Sequence, residues 1–311
     1  MATYLVTGGA GFIGSHIVDA LLARGESVRV VDNFATSSRD ALKAVKDKIT
    51  LYEVDIVNLA ALREPMQGVD YVIHQAAIPS VPRSVADPLL THESCATGTL
   101  NVLLAARDAK VKRVVYAASS SAYGDIEGTY KTEDMPPHPL SPYAVAKLIG
   151  EQYCQVFHGV YGLETVALRY FNVFGPRQDP YSPYSAVIPL FIKAMLEGKR
   201  PTVFGDGTQS RDFTYIDNVV HGNLLACHAD SRVAGQIINL ACGQSISLLD
   251  LIAAINKLLG THIEPIFAEP RAGDVKHSCA DIRRAGELLG FEPTVSFEEG
   301  LRHTLAWLKN A

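Results

Sequence analysis

The chain has 311 residues, 48% of them hydrophobic and 20% charged, with a formal net charge of −5 at neutral pH. That balance fits a globular protein with a sizeable core; it offers no basic surface for a nucleic acid and no attraction to an acidic membrane. The five cysteines (Cys95, Cys154, Cys227, Cys242, Cys279) form no Cys-x-x-Cys pair, which fits reduced thiols in a cytoplasm better than a disulfide scaffold or a metal site. No apolar stretch reaches membrane-spanning length, and Met1-Ala2-Thr3-Tyr4 leads straight into a strand, which is expected to leave no room for a signal peptide.

Tyr4-Leu5-Val6 reads as the first strand, followed by Thr7-Gly8-Gly9-Ala10-Gly11-Phe12-Ile13-Gly14 and an apolar-periodic helix over 12–22. A strand, a glycine turn and a helix in that order make a phosphate cradle, because the turn brings backbone N–H groups and a helix N-terminus against a pyrophosphate. The second strand, Ser27-Val28-Arg29-Val30-Val31, ends in Asp32. A carboxylate there accepts both adenosine ribose hydroxyls and repels a 2′-phosphate, so NAD is expected rather than NADP. Further along, 49–54 reads as a strand, 59–66 as a helix, 70–74 as a buried strand, 89–109 as a long helix and 113–118 as another strand. Apolar strands separated by helices predict an α/β fold with a doubly wound parallel sheet and ligands at the carboxyl ends of its strands.

The strand over 113–118 runs into Ser119-Ser120-Ser121-Ala122-Tyr123, where the pattern alone leaves open which hydroxyl does chemistry and which only shapes a turn. Ser141-Pro142-Tyr143-Ala144-Val145-Ala146-Lys147 then opens a helix, with proline at its start. Tyr143 and Lys147 fall on one face, a turn apart. A phenol titrates near pH 10, roughly, and is a poor base at neutral pH unless positive charge favours the phenolate. Here the Lys147 ammonium and an oxidised nicotinamide are expected to supply that charge.

From about residue 172 proline, glycine, tyrosine and serine become frequent, and only short strands remain near 202–204, 237–240 and 264–267. The expected division is a cofactor-binding Rossmann domain over 1–171, with 212–240 returning to it. A smaller mixed α/β substrate domain is expected over 172–211 and 241–311.

Taken together, the glycine cradle, Asp32, the serine strand and Tyr143/Lys147 resemble the extended short-chain dehydrogenase/reductase family over essentially the whole chain. Four separated runs resemble its nucleotide-sugar 4-epimerases: residues 74–84, Leu168-Arg169-Tyr170-Phe171-Asn172-Val173-Phe174-Gly175, Ser210-Arg211-Asp212-Phe213 and Arg271-Ala272-Gly273-Asp274-Val275. The resemblance implies that Tyr143 takes the C4 hydroxyl proton of a UDP-hexose with help from Ser119. The C4 hydride passes to NAD, and a transient 4-keto sugar turns over and is reduced from its other side. It implies cofactor contacts at Gly8, Gly11, Phe12, Ile13, Gly14, Asp32, Asn33, Asp55, Ile56, Gln75, Ala76, Ala77, Tyr143, Lys147 and Phe171. Without the resemblance, Asp55 reads equally well as a helix N-cap.

For the substrate it implies Ser80, Ser119, Ser120, Ser121, Tyr143, Asn172, Gln178 and Val187, with Arg211 and Arg271 on the pyrophosphate and Asp274 on the uridine ribose. His74 is read as structural, and Arg83 and Arg177 carry no assigned role. Glucose-restricted relatives tend to carry a bulky tyrosine where this chain has Ser278, so N-acetylated sugars (UDP-GlcNAc, UDP-GalNAc) are expected alongside UDP-Glc and UDP-Gal. Where the family usually has asparagine this chain has Cys95, a departure at one of the implied cofactor contacts. The family further implies a homodimer through helices around 89–109 and 148–157. A UDP-glucuronate 4-epimerase or decarboxylase is the rival on the same scaffold, and a non-catalytic dinucleotide sensor a distant one.

Overall fold

The computed structural model describes residues 1–126, 128, 130–181, 185–270 and 275–310. In chain order its first half comprises β1 (Thr3–Thr7), α1 (Phe12–Ala23), β2 (Ser27–Asp32), β3 (Ile49–Glu53), α2 (Leu59–Met66) and β4 (Tyr71–His74). Next come α3 (Val81–Ala86), α4 (Pro88–His92), α5 (Gly98–Asp108), β5 (Arg113–Ser119), α6 (Pro142–Tyr161) and β6 (Glu164–Tyr170).

These strands form one seven-stranded sheet in the order Gln236–Leu240, β6, β5, β4, β1, β2, β3, with every neighbouring pair parallel. Both faces are covered. Tyr4, Val6, Val30, Val115 and Ala117 point into one apolar cluster, while Leu5, Val31, Val114, Tyr116 and Ala118 point into the other. Alternate residues of each strand thus face opposite layers, which is why the strands are apolar throughout rather than alternating. Each buried valine, leucine or isoleucine contributes roughly 1.5–3 kcal/mol. The sheet is therefore a rigid base for whatever its carboxyl edge carries.

The helix expected over 89–109 is a continuous run in which Glu93–Thr97 forms a π-turn between α4 and α5. Beyond β6 the elements are short. Val173–Phe174 pairs with Thr214–Tyr215, Thr202–Phe204 with Ile266–Ala268, and Ser210–Arg211 lies between Ile246–Ser247 and His277–Ser278. Asp212 knits this region together: its carboxylate accepts from the backbone N–H groups of Cys242, Gly243 and Ala280 at 2.9–3.1 Å. Among the described residues no helix is long and apolar enough to cross a membrane, and no cysteine is paired.

Candidate active site

Two clefts open at the carboxyl ends of the strands. The larger encloses about 950 Å³ and is lined by Gly8, Gly11, Phe12, Ile13 and Gly14 of the first turn, by Asp32 and Asn33 after β2, and by Asp55 and Ile56 after β3. Gln75, Ala76, Ala77 and Ser80 after β4, Tyr143 and Lys147 of α6, and Gln178 complete the part foreseen from sequence. The smaller, about 300 Å³, is lined by Asn172, Val187 and Arg211 with Phe174, Phe204 and Phe213. Val173, Ser185 and Ala186 line both, so the two clefts adjoin along these residues.

The glycine turn is tight for a steric reason. A Cβ on Gly14 would lie 2.1 Å from the Gly8 carbonyl oxygen, and one on Gly8, whose φ is +68°, would lie 2.7 Å from the Ala76 nitrogen. Only glycine lets the start of α1 and the end of β4 close on each other in this way. Asp32, almost fully buried at the tip of β2, orders the neighbouring loop: Oδ2 accepts from Ala10 N at 2.9 Å, and Oδ1 accepts from Phe34 N and Ser37 Oγ. Asp55 accepts from Asn33 Nδ2 at 2.9 Å and from Val57 N, while the N-cap of α2 is Asn58. A cleft end lined by these two carboxylates suits an uncharged ribose. The chain's own residues therefore fit a dinucleotide with a free 2′-hydroxyl.

At the chemical end, Ser141 caps α6 by accepting from Ala144 N at 3.2 Å, and Pro142 occupies its first turn. This places Tyr143 and Lys147 one above the other facing the cleft. Lys147 is buried, and its Nζ donates to Ala117 O at 2.8 Å. Burial pushes the Tyr143 phenol well up from its ordinary value, Cys95 adds to the rise, and the nearby Ser119 hydroxyl pulls it back. The expected lowering by Lys147 is not what dominates here: its ammonium is committed to the Ala117 carbonyl, and desolvation outweighs it. The Ser119 oxygen also accepts from Ser121 N and Ser121 Oγ at 2.8 Å, which leaves its own proton for the phenol.

Several expected contacts take other roles. Phe171 is fully buried against Tyr123, and its side chain lines neither cleft; Tyr170, one residue earlier, faces the larger one instead. Ser120, Ser121 and Ser278 line neither, although Ser278 stands beside Arg211 in the register of their two strands. Arg177 pairs with Asp19 of α1 at 2.6 Å. Arg271 and Asp274 lie outside the described residues. Cys95 sits in the π-turn, buried beside Ala77, Ala146 and Tyr143. His74 is held between Thr7 Oγ1 at 2.6 Å and Thr99 Oγ1 at 3.0 Å, within the core.

Two features were not foreseen. Gln75 Nε2 donates to Tyr170 Oη at 2.8 Å, and Tyr170 donates to Asn223 Oδ1 at 2.9 Å, a buried network that fixes Gln75 at the cleft wall. The aromatic box of Phe174, Phe204 and Phe213 also escaped notice, although Phe213 belongs to a run already singled out. Two lining residues hold uncommon backbone angles, Ser80 at φ +157° and Asn172 at φ +33°. Buried Gln178 Oε1 has no hydrogen-bond partner among the described residues. Strain and an orphaned acceptor at a cleft wall are the marks of a surface shaped for a ligand.

A parallel Rossmann sheet with a glycine cradle, an acidic residue ending β2 and a Tyr-x-x-x-Lys helix facing the same cleft defines a nicotinamide-dependent enzyme of the short-chain dehydrogenase/reductase class. The sequence model of the NAD dependent epimerase/dehydratase family matches residues 4–241, and the chain belongs to that family; its cofactor is NAD. It is 38% identical to a putative UDP-glucose 4-epimerase of Methanocaldococcus jannaschii over 98% of each chain. It is 37% identical to a UDP-glucuronate 4-epimerase of Thermodesulfobacterium geofontis, over 99% of this chain and 97% of that one. Among solved structures, the UDP-N-acetylglucosamine 4-epimerase of Methanobrevibacter ruminantium M1, in complex with UDP-N-acetylmuramic acid, superposes with a TM-score of 0.94. That protein is 40% identical, and the match covers 99% of this chain and 98% of the other.

Proposed function

We propose that the protein is a UDP-hexose 4-epimerase that interconverts the C4 epimers of UDP-GlcNAc/UDP-GalNAc and UDP-Glc/UDP-Gal. The observation that supports this reading is that the two clefts adjoin along Val173, Ser185 and Ala186, the larger holding Tyr143 and Lys147 and the smaller an aromatic box. In it, Phe204 and Phe213 wall the base and Arg211 meets the pyrophosphate, as an always-charged, bidentate partner should. Tyr143 accepts the C4 hydroxyl proton and later returns it, with Ser119 hydrogen-bonded to the same oxygen. Lys147 holds the nicotinamide ribose. NAD, held between the glycine turn, Asp32 and Lys147, would supply the hydride acceptor and donor for C4.

The division of labour follows: 1–171 with 212–240 holds the cofactor, and 172–211 with 241–311 holds the UDP-sugar. Scattered unpaired cysteines support a cytoplasmic setting. Leu89 and Leu90 of α4 with Val156, Val160 and Tyr161 of α6 are exposed apolar side chains on packed helices, which supports a homodimer through that face.

The test is NMR of the purified protein incubated with each UDP-sugar and no added cofactor. Appearance of the C4 epimer supports the reading; release of a ketone with stoichiometric reduced nicotinamide overturns it. The second reading, UDP-glucuronate 4-epimerase, is favoured by the Thermodesulfobacterium relative and by Arg83 at the cleft wall. Including UDP-glucuronate in the same assay separates the two.

A further inference from the structure

Lys147 is a buried cation without a direct carboxylate partner among the described residues. It is 3% exposed, donates to the Ala117 carbonyl, and lies 5.0 Å from the centre of the Tyr116 ring. The titratable groups facing it are Tyr116 on β5, His74 on β4, Cys95 in the π-turn, and Glu151 and Cys154 on its own helix. Of these only Glu151 is a carboxylic acid, and it is ion-paired with Arg169.

Glu151 stands one helical turn beyond Lys147 on the same face of α6 and is wholly buried. Arg169 reaches it from β6 in a fork, Nε to Oε1 at 2.9 Å and Nη2 to Oε2 at 2.7 Å. Arg169 is itself 2% exposed and lies 4.6 Å over the ring of Tyr123, whose hydroxyl donates to Asn239 Oδ1 at 2.7 Å. Tyr123 closes the short turn that begins at Ser120, directly after Ser119. Stability alone does not account for such a pair, because well-packed apolar residues in place of a buried ion pair are often neutral or better.

We propose that the Glu151–Arg169 pair positions the catalytic groups: it fixes a negative centre one turn behind Lys147, which holds that ammonium charged against Ala117, and braces the turn presenting Ser119. The proposal rests on the reading of Tyr143 and Lys147 as catalytic. The order of effects is physical. Burial works against ionised Glu151, and Arg169 opposes that; burial works against charged Lys147, and Cys95 and then Glu151 oppose that in turn. Without Arg169 the carboxyl takes up a proton, and the lysine behind Tyr143 then loses its counter-charge.

Three variants of the NAD-loaded protein test this: Glu151→Gln, Glu151→Asp, and the doubly neutral Glu151→Leu/Arg169→Met, whose apolar pair keeps the fold where the single change leaves Arg169 uncompensated. Two readouts are needed: kcat and KM across pH, and the tyrosinate absorbance of Tyr143, taken as the difference from Tyr143→Phe. For the folded double variant we expect an unchanged KM for the UDP-sugar and a kcat at pH 7 lower by about tenfold, with Tyr143 titrating about one pH unit higher. The active pH range narrows from both sides, and Glu151→Asp retains part of it. A folded double variant with the wild-type kcat profile and Tyr143 titration overturns the proposal. If the wild type turns over no UDP-hexose, the proposed function fails, while the Tyr143 titration still decides this inference.

Discussion

His74, 1% exposed between two threonine hydroxyls, shows what burial does to an ionisable group that takes no part in chemistry: its pKa is pushed down to about 3. In the unfolded chain an imidazole titrates near pH 6.5, roughly, so its folded value is depressed. A depressed value contributes stability that is complete above pH 6.5 and is lost as pH falls toward 3. His74→Asn is expected to flatten the fall of unfolding free energy with acid across that window, by at most about 1.4 kcal/mol per pH unit. Urea denaturation at stepped pH reads it, and a wild-type slope in the variant refutes it. Ser278, beside Arg211 in the strand register, carries the proposal on substrate size although it lines neither cleft. Ser278→Tyr is expected to abolish turnover of N-acetylated UDP-sugars while sparing UDP-Glc; a parallel loss of both, in the same NMR assay, rules out the pocket argument. At this scale the sequence was readable where a residue's role follows from its neighbours. It did not tell Phe171 from Tyr170, whose side chain lines the cleft one position earlier, because strand direction is a property of the sheet.

The glycine turn and α6 were legible because their signals are local: four residues separate Tyr143 from Lys147, and a helix turns those four into one face. The turn makes a sharp prediction. With only 2.1 Å between a new Cβ and the Gly8 oxygen, Gly14→Ala forces α1 away from the phosphate cradle. The variant is expected to keep its helical circular dichroism but to retain NAD at least about tenfold more weakly, since about 1.4 kcal/mol of lost contact is already a factor of ten. Nicotinamide released on denaturing the purified variant measures it, and full occupancy would sink the steric argument. The π-turn at Glu93–Thr97, the Asp212 knot and the Glu151–Arg169 fork left no trace in local sequence. The knot and the fork join segments that only the tertiary fold brings together, as Asp212 does with Cys242 and Ala280, whereas the π-turn lies within one continuous helical run.

Over the whole molecule, the alternation of strands and helices announced the parallel sheet, whereas the short strands after residue 172 gave no clue to how they pair. The exposed apolar face of α6 carries the prediction of this scale. Val160, 67% exposed, is mostly outside the monomer core, so on the proposed homodimer Val160→Glu is expected to give a monomer without lowering the unfolding temperature. Sedimentation velocity checks it, and an unchanged mass removes this face as the contact. The sheet's closing strand has a consequence of its own. Gln236–Leu240 pairs with β6, some seventy residues earlier in the chain. Until that late segment emerges from the ribosome, the rim of β6 stands bare, an unguarded template for stray pairing. A polypeptide halted at 171 should therefore clump rather than fold, and adding back the remainder in the same chain, not as a separate peptide, is what makes it whole.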